Sequence, residues 1–107
     1  MPEGFFAQAQ KCITLICVRF TWDPKKAASN IKKHGVSFVE AASLFADPLA
    51  AMLEDAMDPE RAILVGQSDE GRVLLVVFLE ESDGTIRIIS ARRATSHERK
   101  RYEENAW

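Results

Sequence analysis

Runs of apolar residues divide the chain into short strand-like and helix-like segments. Lys11–Thr21 is rich in β-branched and apolar residues and predicts a strand. Asp23 followed by Pro24 is typical of a helix start, because proline at the first helical position loses no hydrogen bond. Gly35 suits a left-handed C-terminal cap, so the first helix is predicted to end there.

A second helix is predicted directly after the first. Ser37 and Glu40 have the spacing of a capping box, and Phe38 between them begins an apolar face. Asp47 precedes a proline and therefore ends this helix, since the residue before proline avoids the helical region.

The rest of the chain predicts four strands and a last helix. The strands are Leu49–Leu53, Ala62–Gln67, Val73–Leu79 and Thr85–Ala91. Val73–Leu79 is apolar on both faces, which indicates a central strand covered on two sides. A second capping-box pattern, Thr95–Glu98, opens a helix that runs toward the C-terminus.

These elements predict an α+β fold in the order β-α-α-β-β-β-β-α. Two N-terminal helices and one C-terminal helix would pack on a mostly antiparallel sheet. The length of 107 residues corresponds to a single domain over 1–107. Residues 1–10 show no period and are expected to form a loose leader before it.

Composition indicates a reduced, cytoplasmic globular protein without a membrane span. No apolar run approaches the ~20 residues needed to cross a bilayer, and the N-terminus lacks the features of a signal peptide. The two cysteines, Cys12 and Cys17, are a poor basis for a disulfide framework.

The net charge of −2 conceals an uneven distribution of charge. The middle of the chain, residues 41–84, holds two basic residues against ten acidic ones, so most of the cations lie toward the two ends. Two basic stretches stand out, Lys25–His34 and Arg92–Arg101, and together they would attract a polyanion such as RNA. The alternative is that both are ordinary solvated helix faces.

The available side chains favour chemistry without a cofactor. The sequence shows no metal-ligand spacing, phosphate-binding glycine loop or nucleophile elbow. Arginine, lysine, histidine, glutamate and tyrosine nevertheless suit RNA cleavage, because RNA supplies its own nucleophile, the 2′-hydroxyl. The protein must move protons and stabilise charge on the phosphate, and guanidinium groups match phosphate oxygens.

The strongest candidates lie at the end of the last predicted strand and on the helix after it. Arg92 and Arg93 alternate on the strand, so their side chains diverge, although strand-end arginines often reach only solvent. Glu98, Arg99 and Tyr102 are neighbours on one helix face and could act as base, phosphate clamp and stacking ring. From chemistry alone, a capping role for Glu98 is favoured over a catalytic one.

Cations on the first helix form a second group of candidates. Lys33 and His34 lie at its C-terminus, where cations interact favourably with the helix dipole. His34 could also transfer a proton near neutral pH. With Lys25, Lys26 and Arg101, they are the predicted RNA-binding residues.

Several segments in a fixed order resemble the BrnT family of bacterial toxins, over residues 19–104. They are Phe20–Lys26, Asn30, Lys33–Phe38, Glu40–Ala41, Phe45–Pro48, Ile88–Thr95 and Glu98–Glu103. The resemblance implies a RelE-like fold and a ribonuclease that arrests growth by cutting RNA. It also implies a cognate antitoxin encoded beside it, a small DNA-binding protein through which the complex would reach operator DNA and form an oligomer.

By position, the resemblance supports the arginine-rich candidates as catalytic residues. They are Arg92, Arg93, Glu98, Arg99 and Tyr102. One departure is that residues 1–18 precede the segment where family members typically begin. The competing hypothesis is a non-catalytic module that binds nucleic acid or protein with the same basic surface.

Overall fold

The computed structural model describes residues 7–13 and 16–107 as one six-stranded sheet with three α-helices. The elements in chain order are β1 (Ala7–Ile13), β2 (Ile16–Trp22), α1 (Pro24–His34), α2 (Phe38–Ser43), a 3₁₀ turn (Leu44–Ala46), β3 (Ala51–Glu54), β4 (Ala62–Gln67), β5 (Val73–Glu80), β6 (Ile86–Arg93) and α3 (Ser96–Glu104). The predicted α+β class with three helices is confirmed.

The sheet is mixed, with strand order β1-β2-β6-β5-β4-β3. β2 and β6 pair in parallel, whereas the other neighbouring strands pair antiparallel. A parallel pair needs a long crossover connection, and here the whole segment from α1 to β5 lies between the two strands in sequence. β5 lies between β4 and β6, as expected for the central apolar strand.

The N-terminal part differs from the predicted order by one strand. The predicted strand Lys11–Thr21 corresponds to parts of β1 and β2, which pair in a register from Ala7 opposite Trp22 to Ile13 opposite Ile16. Ala7–Gln10 therefore belongs to a strand and not to a loose leader, while residues 1–6 lie outside the described residues. β1 forms because its backbone pairs with β2, a contact that the irregular apolar pattern of β1 does not predict.

The helix ends follow the local signals in the sequence. Asp23 caps α1 by accepting a hydrogen bond from the amide of Lys25 at 2.9 Å, and Gly35 ends this helix at a φ of 68°. Ser37 caps α2 through the amide of Glu40. The reciprocal half of the predicted capping box is absent there, because the Glu40 carboxylate accepts hydrogen bonds from Ser68 and Arg72 instead.

The core is formed by α1, α2 and one face of the sheet. The rings of Phe20, Phe45 and Phe78 pack edge to face, with centroids 5.2 and 5.0 Å apart for successive pairs. Trp22 is buried against Phe38 at 6.0 Å and so belongs to this core. Aromatic pairs of this geometry bury large apolar areas and fix the distance between the helices and the sheet.

Asn30 fastens α1 to the middle of the sheet. Its buried amide donates to the carbonyl oxygens of Val36 at 3.0 Å and Ala91 at 2.7 Å, and its Oδ1 accepts from the amide of Ala91 at 3.2 Å. The side chain thus satisfies backbone groups of β6 directly before the two strand-end arginines. Buried polar groups without such partners are costly, so this contact sets the position of α1 on the sheet.

Replacing Asn30 with alanine is therefore expected to destabilise the protein by about 2 to 4 kcal/mol, because it leaves buried backbone groups of Ala91 without partners. Urea unfolding followed by circular dichroism measures this loss. Ser29→Ala, at an exposed position on the same helix, should stay within about 0.5 kcal/mol of the wild type. Equal stabilities for the two variants would contradict the proposed role of Asn30 in holding α1 on the sheet.

Candidate active site

A cleft of about 470 Å³ opens where the end of β4, the start of β5 and the end of β6 meet α3. Antiparallel pairing brings these three strand ends to one edge of the sheet. The lining residues are Gln67, Gly71, Arg72, Val73, Arg93, Ala94, Arg99, Tyr102 and Glu103. Three guanidinium groups from three different elements thus border one space.

Arg93 and Arg99 line the cleft and are exposed. Within the described part of the chain, neither side chain makes a hydrogen bond or ion pair. Arg93 is the last residue of β6, and Arg99 lies in the first half of α3. Their donors are therefore available to a phosphate group, in the region where the sequence places its strongest candidates.

Arg92 and Glu98, also predicted as catalytic, are bound to each other. Arg92 Nη1 and Nη2 each donate to a different carboxylate oxygen of Glu98 at 2.9 Å. Glu98 also completes the capping box with Thr95 at the start of α3. The hydrogen bonds from Arg92, and those from Thr95, lower the pKa of Glu98 to about 2 although burial opposes the shift. A carboxylate so stabilised accepts a proton poorly at neutral pH.

Tyr102 lines the cleft but is tied to the body of the protein. Its hydroxyl donates to Asp47 Oδ2 at 2.5 Å. Burial and the adjacent Asp47 carboxylate raise the pKa of Tyr102 to about 12. The phenol therefore keeps its proton at neutral pH and is suited to positioning or stacking and not to proton abstraction.

Asp47 organises the junction on which Tyr102 depends. Its carboxylate also accepts from the amides of Gln67 at 2.8 Å and Leu49 at 2.9 Å. Burial opposes ionisation of this group, but these hydrogen bonds and that from Tyr102 keep the pKa of Asp47 below its usual value. The sequence shows Asp47 only as a helix stop, because its partners lie far along the chain.

Gly66 explains how Asp47 comes so close to β4. A Cβ atom at this position would lie 2.9 Å from the Cβ of Ala50 and 3.2 Å from Asp47 Oδ2. Both distances are shorter than ordinary van der Waals contacts. Glycine therefore lets the segment after the 3₁₀ turn lie directly on the strand.

Arg72 is the cleft residue that sequence reasoning missed. Its guanidinium forms a two-point ion pair with the buried carboxylate of Glu40, and Nη2 also donates to the carbonyl of Gly35 at 3.1 Å. In the sequence, Arg72 stands only between two predicted strands, Ala62–Gln67 and Val73–Leu79. Glu40 precedes it by 32 residues, so no local pattern links the two.

The cations of α1 lie at different distances from the cleft. The contact between Gly35 and Arg72 places the end of α1, with the exposed Lys33 and His34, next to the cleft. Lys25 and Lys26 are exposed at the start of the helix. At a rise of 1.5 Å per residue, the start of the helix lies roughly 12–15 Å from its end at Gly35. The structure brings only part of this predicted group to the site.

Arg101 points to the C-terminal end of α3. Its guanidinium lies 5.0 Å from the ring centroid of Trp107, and its Nε donates to the carbonyl of Ala106 at 3.0 Å. Cation–π and hydrogen-bond contacts of this kind hold the terminal residues against the helix.

Two absences hold for the described residues. No group of three or more histidine, cysteine or acidic side chains there could hold a metal ion. No helix among them has the length and apolar content that a bilayer crossing requires.

Comparison with known proteins finds one matching family and a similar solved structure. A family model described as the ribonuclease toxin BrnT of type II toxin-antitoxin systems matches residues 22–98. The crystal structure of the Brucella abortus ribonuclease toxin BrnT, at 1.1 Å resolution, is similar with a TM-score of 0.59 and 23% sequence identity. The similarity covers 70% of this chain and 94% of that one. Comparison with curated protein sequences gives no match.

Glu98→Gln is expected to remove a stabilising contribution that depends on pH. Because folding lowers the pKa of Glu98 from 4.5 to about 2, its ionised form favours the folded state. This contribution is fully present above pH about 4.5 and is lost as the pH falls toward 2. The difference in free energy of unfolding between wild type and variant should shrink over this window in urea titrations.

Glu104→Gln provides the control for this measurement. Glu104 is exposed on the same helix and makes no ion pair with the described residues. Its removal should change stability little at any pH. A Glu98→Gln difference that stays constant down to pH 2 would show that the Arg92 pair does not stabilise the fold.

Proposed function

The chain belongs to the family of BrnT ribonuclease toxins of type II toxin-antitoxin systems, and we propose that it is a metal-independent endoribonuclease whose active site is the cleft beside α3. The observation that carries this proposal is the position of Arg93 and Arg99, whose side chains have no hydrogen-bond or ion-pair partner among the described residues, on one cleft. Guanidinium donors match phosphate oxygens, and the family description makes the phosphodiester of RNA the expected ligand.

The proposed reaction uses the 2′-hydroxyl of RNA as nucleophile. The oxygen of this hydroxyl forms a new bond to the adjacent phosphorus and gives its proton to solvent water. The bond to the 5′-oxygen breaks, and that oxygen takes a proton from water, which leaves a 2′,3′-cyclic phosphate and a free 5′-hydroxyl. Negative charge builds up on the phosphate oxygens in the transition state. Arg93 and Arg99 would stabilise this charge, and preorganised electrostatic stabilisation is usually the largest contribution to catalysis.

Glu98, Arg92 and Tyr102 take supporting roles in this proposal. Glu98 and Tyr102 are held in states that accept protons poorly at neutral pH, and Arg92 is engaged by Glu98. The Arg92–Glu98 pair would fix the start of α3 and thereby Arg99. Tyr102 would offer its ring to a base, since stacking tolerates any sequence. Catalysis would then depend more on charge stabilisation than on proton transfer.

The donor set supports independence from metal ions. A divalent cation in a ribonuclease stabilises phosphate charge and is held by carboxylates. Here one carboxylate, Glu103, lines the cleft beside three arginines; the arginines would repel a divalent ion and supply the same stabilisation. Cleavage is therefore expected to proceed in EDTA.

The family assignment carries further proposals about biology. A type II system implies an antitoxin partner and an RNA target. We propose growth arrest on expression in the cytoplasm, a RelE-like relationship of the fold, and neutralisation by a small DNA-binding antitoxin encoded beside this chain. The antitoxin would carry the complex to operator DNA as an oligomer. Expression of the chain with and without the neighbouring gene tests these points together.

Arg93→Ala and Arg99→Ala are each expected to lower the cleavage rate by about 10²- to 10³-fold, because each removes a donor to the transition-state phosphate. Cleavage of a fluorescent single-stranded RNA in EDTA measures the rate. Arg61→Ala is the matched control, since Arg61 precedes the opposite end of β4 and pairs with Asp58. Binding without cleavage by the wild type would favour the non-catalytic module instead.

Lys33→Ala is expected to weaken RNA binding more than Lys25→Ala, because the end of α1 borders the cleft. If Lys33 contacts a phosphate, its loss should reduce the slope of log K against log salt by about 0.7 for single-stranded RNA. Fluorescence anisotropy over a salt series with an uncleavable RNA gives this slope. Equal effects of the two substitutions would mean that the RNA path runs along the whole helix.

A further inference from the structure

Arg72 lines the cleft, and hydrogen bonds to Glu40 fix the orientation of its guanidinium group. The Glu40 side chain is 3% exposed, and its carboxylate accepts from Arg72 Nε at 2.9 Å and from Ser68 Oγ at 2.7 Å. The second Glu40 oxygen accepts from Arg72 Nη2. The guanidinium plane is thus held by two parallel hydrogen bonds, the arrangement that fixes arginine most firmly.

The pattern of bonds leaves one edge of the guanidinium available. Arginine has five N–H donors, and those of Nε and Nη2 are engaged by Glu40 and Gly35. Nη1 donates to none of the described residues. Arg72 lines the cleft, and its side chain is 27% exposed. The two donors of Nη1 are thus the ones left for a ligand in the cleft.

Stability alone does not account for the ion pair between Arg72 and the buried Glu40. Burying a charge costs several kcal/mol, and apolar replacements of such pairs are often neutral or stabilising. Glu40 nevertheless stays ionised, because the hydrogen bond from Arg72 above all lowers its pKa; Arg93 adds to this effect through space. Glu40 therefore interacts with two of the three cleft arginines, through hydrogen bonds with Arg72 and through space with Arg93.

We propose that Arg72 is a third phosphate-binding residue of the cleft and that Glu40 is its positioning residue. The proposal deepens the proposed function, on which it rests for the identity of the phosphate as part of RNA. Arg93 and Arg99 are exposed and must lose side-chain freedom to bind. Arg72 has already lost that freedom, so its donors meet the phosphate at little further entropic cost.

The test compares variants at Arg72 and Glu40 in RNA cleavage, with the fold checked by thermal unfolding. Arg72→Ala and Arg72→Lys should lower kcat by about 10²-fold with little change in KM, as for an interaction made mainly in the transition state. Glu40→Gln should lower kcat by about tenfold, because Arg72 is then less firmly oriented. Arg61→Ala again serves as the arginine control.

Chemical rescue separates a direct role of Arg72 from a structural one. Millimolar guanidinium should restore part of the activity of Arg72→Ala and leave the wild type unchanged. Loss of activity that follows the unfolded fraction, without rescue, would overturn the proposal. Full activity in a folded Arg72→Lys, beside an inactive Arg93→Ala, would overturn it too while the proposed function stands.

A measurement on the wild type covers the remaining outcomes. Arg72→Lys keeps a positive charge beside Glu40, but it and Arg72→Ala can both fail to fold. The wild type can also fail to cleave RNA. The latter result would refute the proposed function alone. In either case, inorganic phosphate is titrated while the NMR signal of the Arg72 Nε–H group is followed. A shift that exceeds that of Arg61 supports the site, and its absence overturns it.

Discussion

The buried carboxylate of Glu40 is the constraint on which the arrangement of the site depends. An ionised carboxylate on a side chain that is only 3% exposed must be compensated by charge and hydrogen bonds. Ser68 and Arg72, at the two ends of the loop between β4 and β5, provide that compensation. Arg72 also reaches the carbonyl of Gly35 at the end of α1. The contacts that compensate the Glu40 carboxylate on α2 therefore bring the end of α1 and the loop between β4 and β5 to the same edge of the sheet.

The other side of the cleft is attached differently. α3 has no buried residue and only a weakly amphipathic pattern, so apolar packing contributes little to its position. Polar contacts replace it: Arg92 binds Glu98 at the first turn, and Tyr102 binds Asp47 further along the helix. Three residues predicted as catalytic from the sequence, Arg92, Glu98 and Tyr102, thus hold the helix in place. Arg99, on the same helix, lines the cleft.

Part of the site follows from the sequence alone, because it depends on short-range geometry. Alternation along β6 predicts that Arg92 and Arg93 diverge, and helical spacing predicts that Arg99 and Tyr102 are close together. What each residue does could not be predicted in this way. Arg92 and Arg93 are chemically identical neighbours, and only the position of Glu98 distinguishes the bound one from the one that lines the cleft.

The sequence by itself determined the features that depend only on interactions between residues close together in the chain. These are the caps at Asp23, Gly35 and Thr95 and the strand periodicity, which are governed by local dihedral preferences and hydrogen bonds. Only the tertiary structure decided the parallel pairing of β2 with β6 and the contacts that join distant segments. Arg72 and Glu40 are 32 residues apart, and Tyr102 and Asp47 are 55 apart. Such partners are selected by the burial and mutual satisfaction of polar groups in the folded chain, a condition that no local pattern encodes.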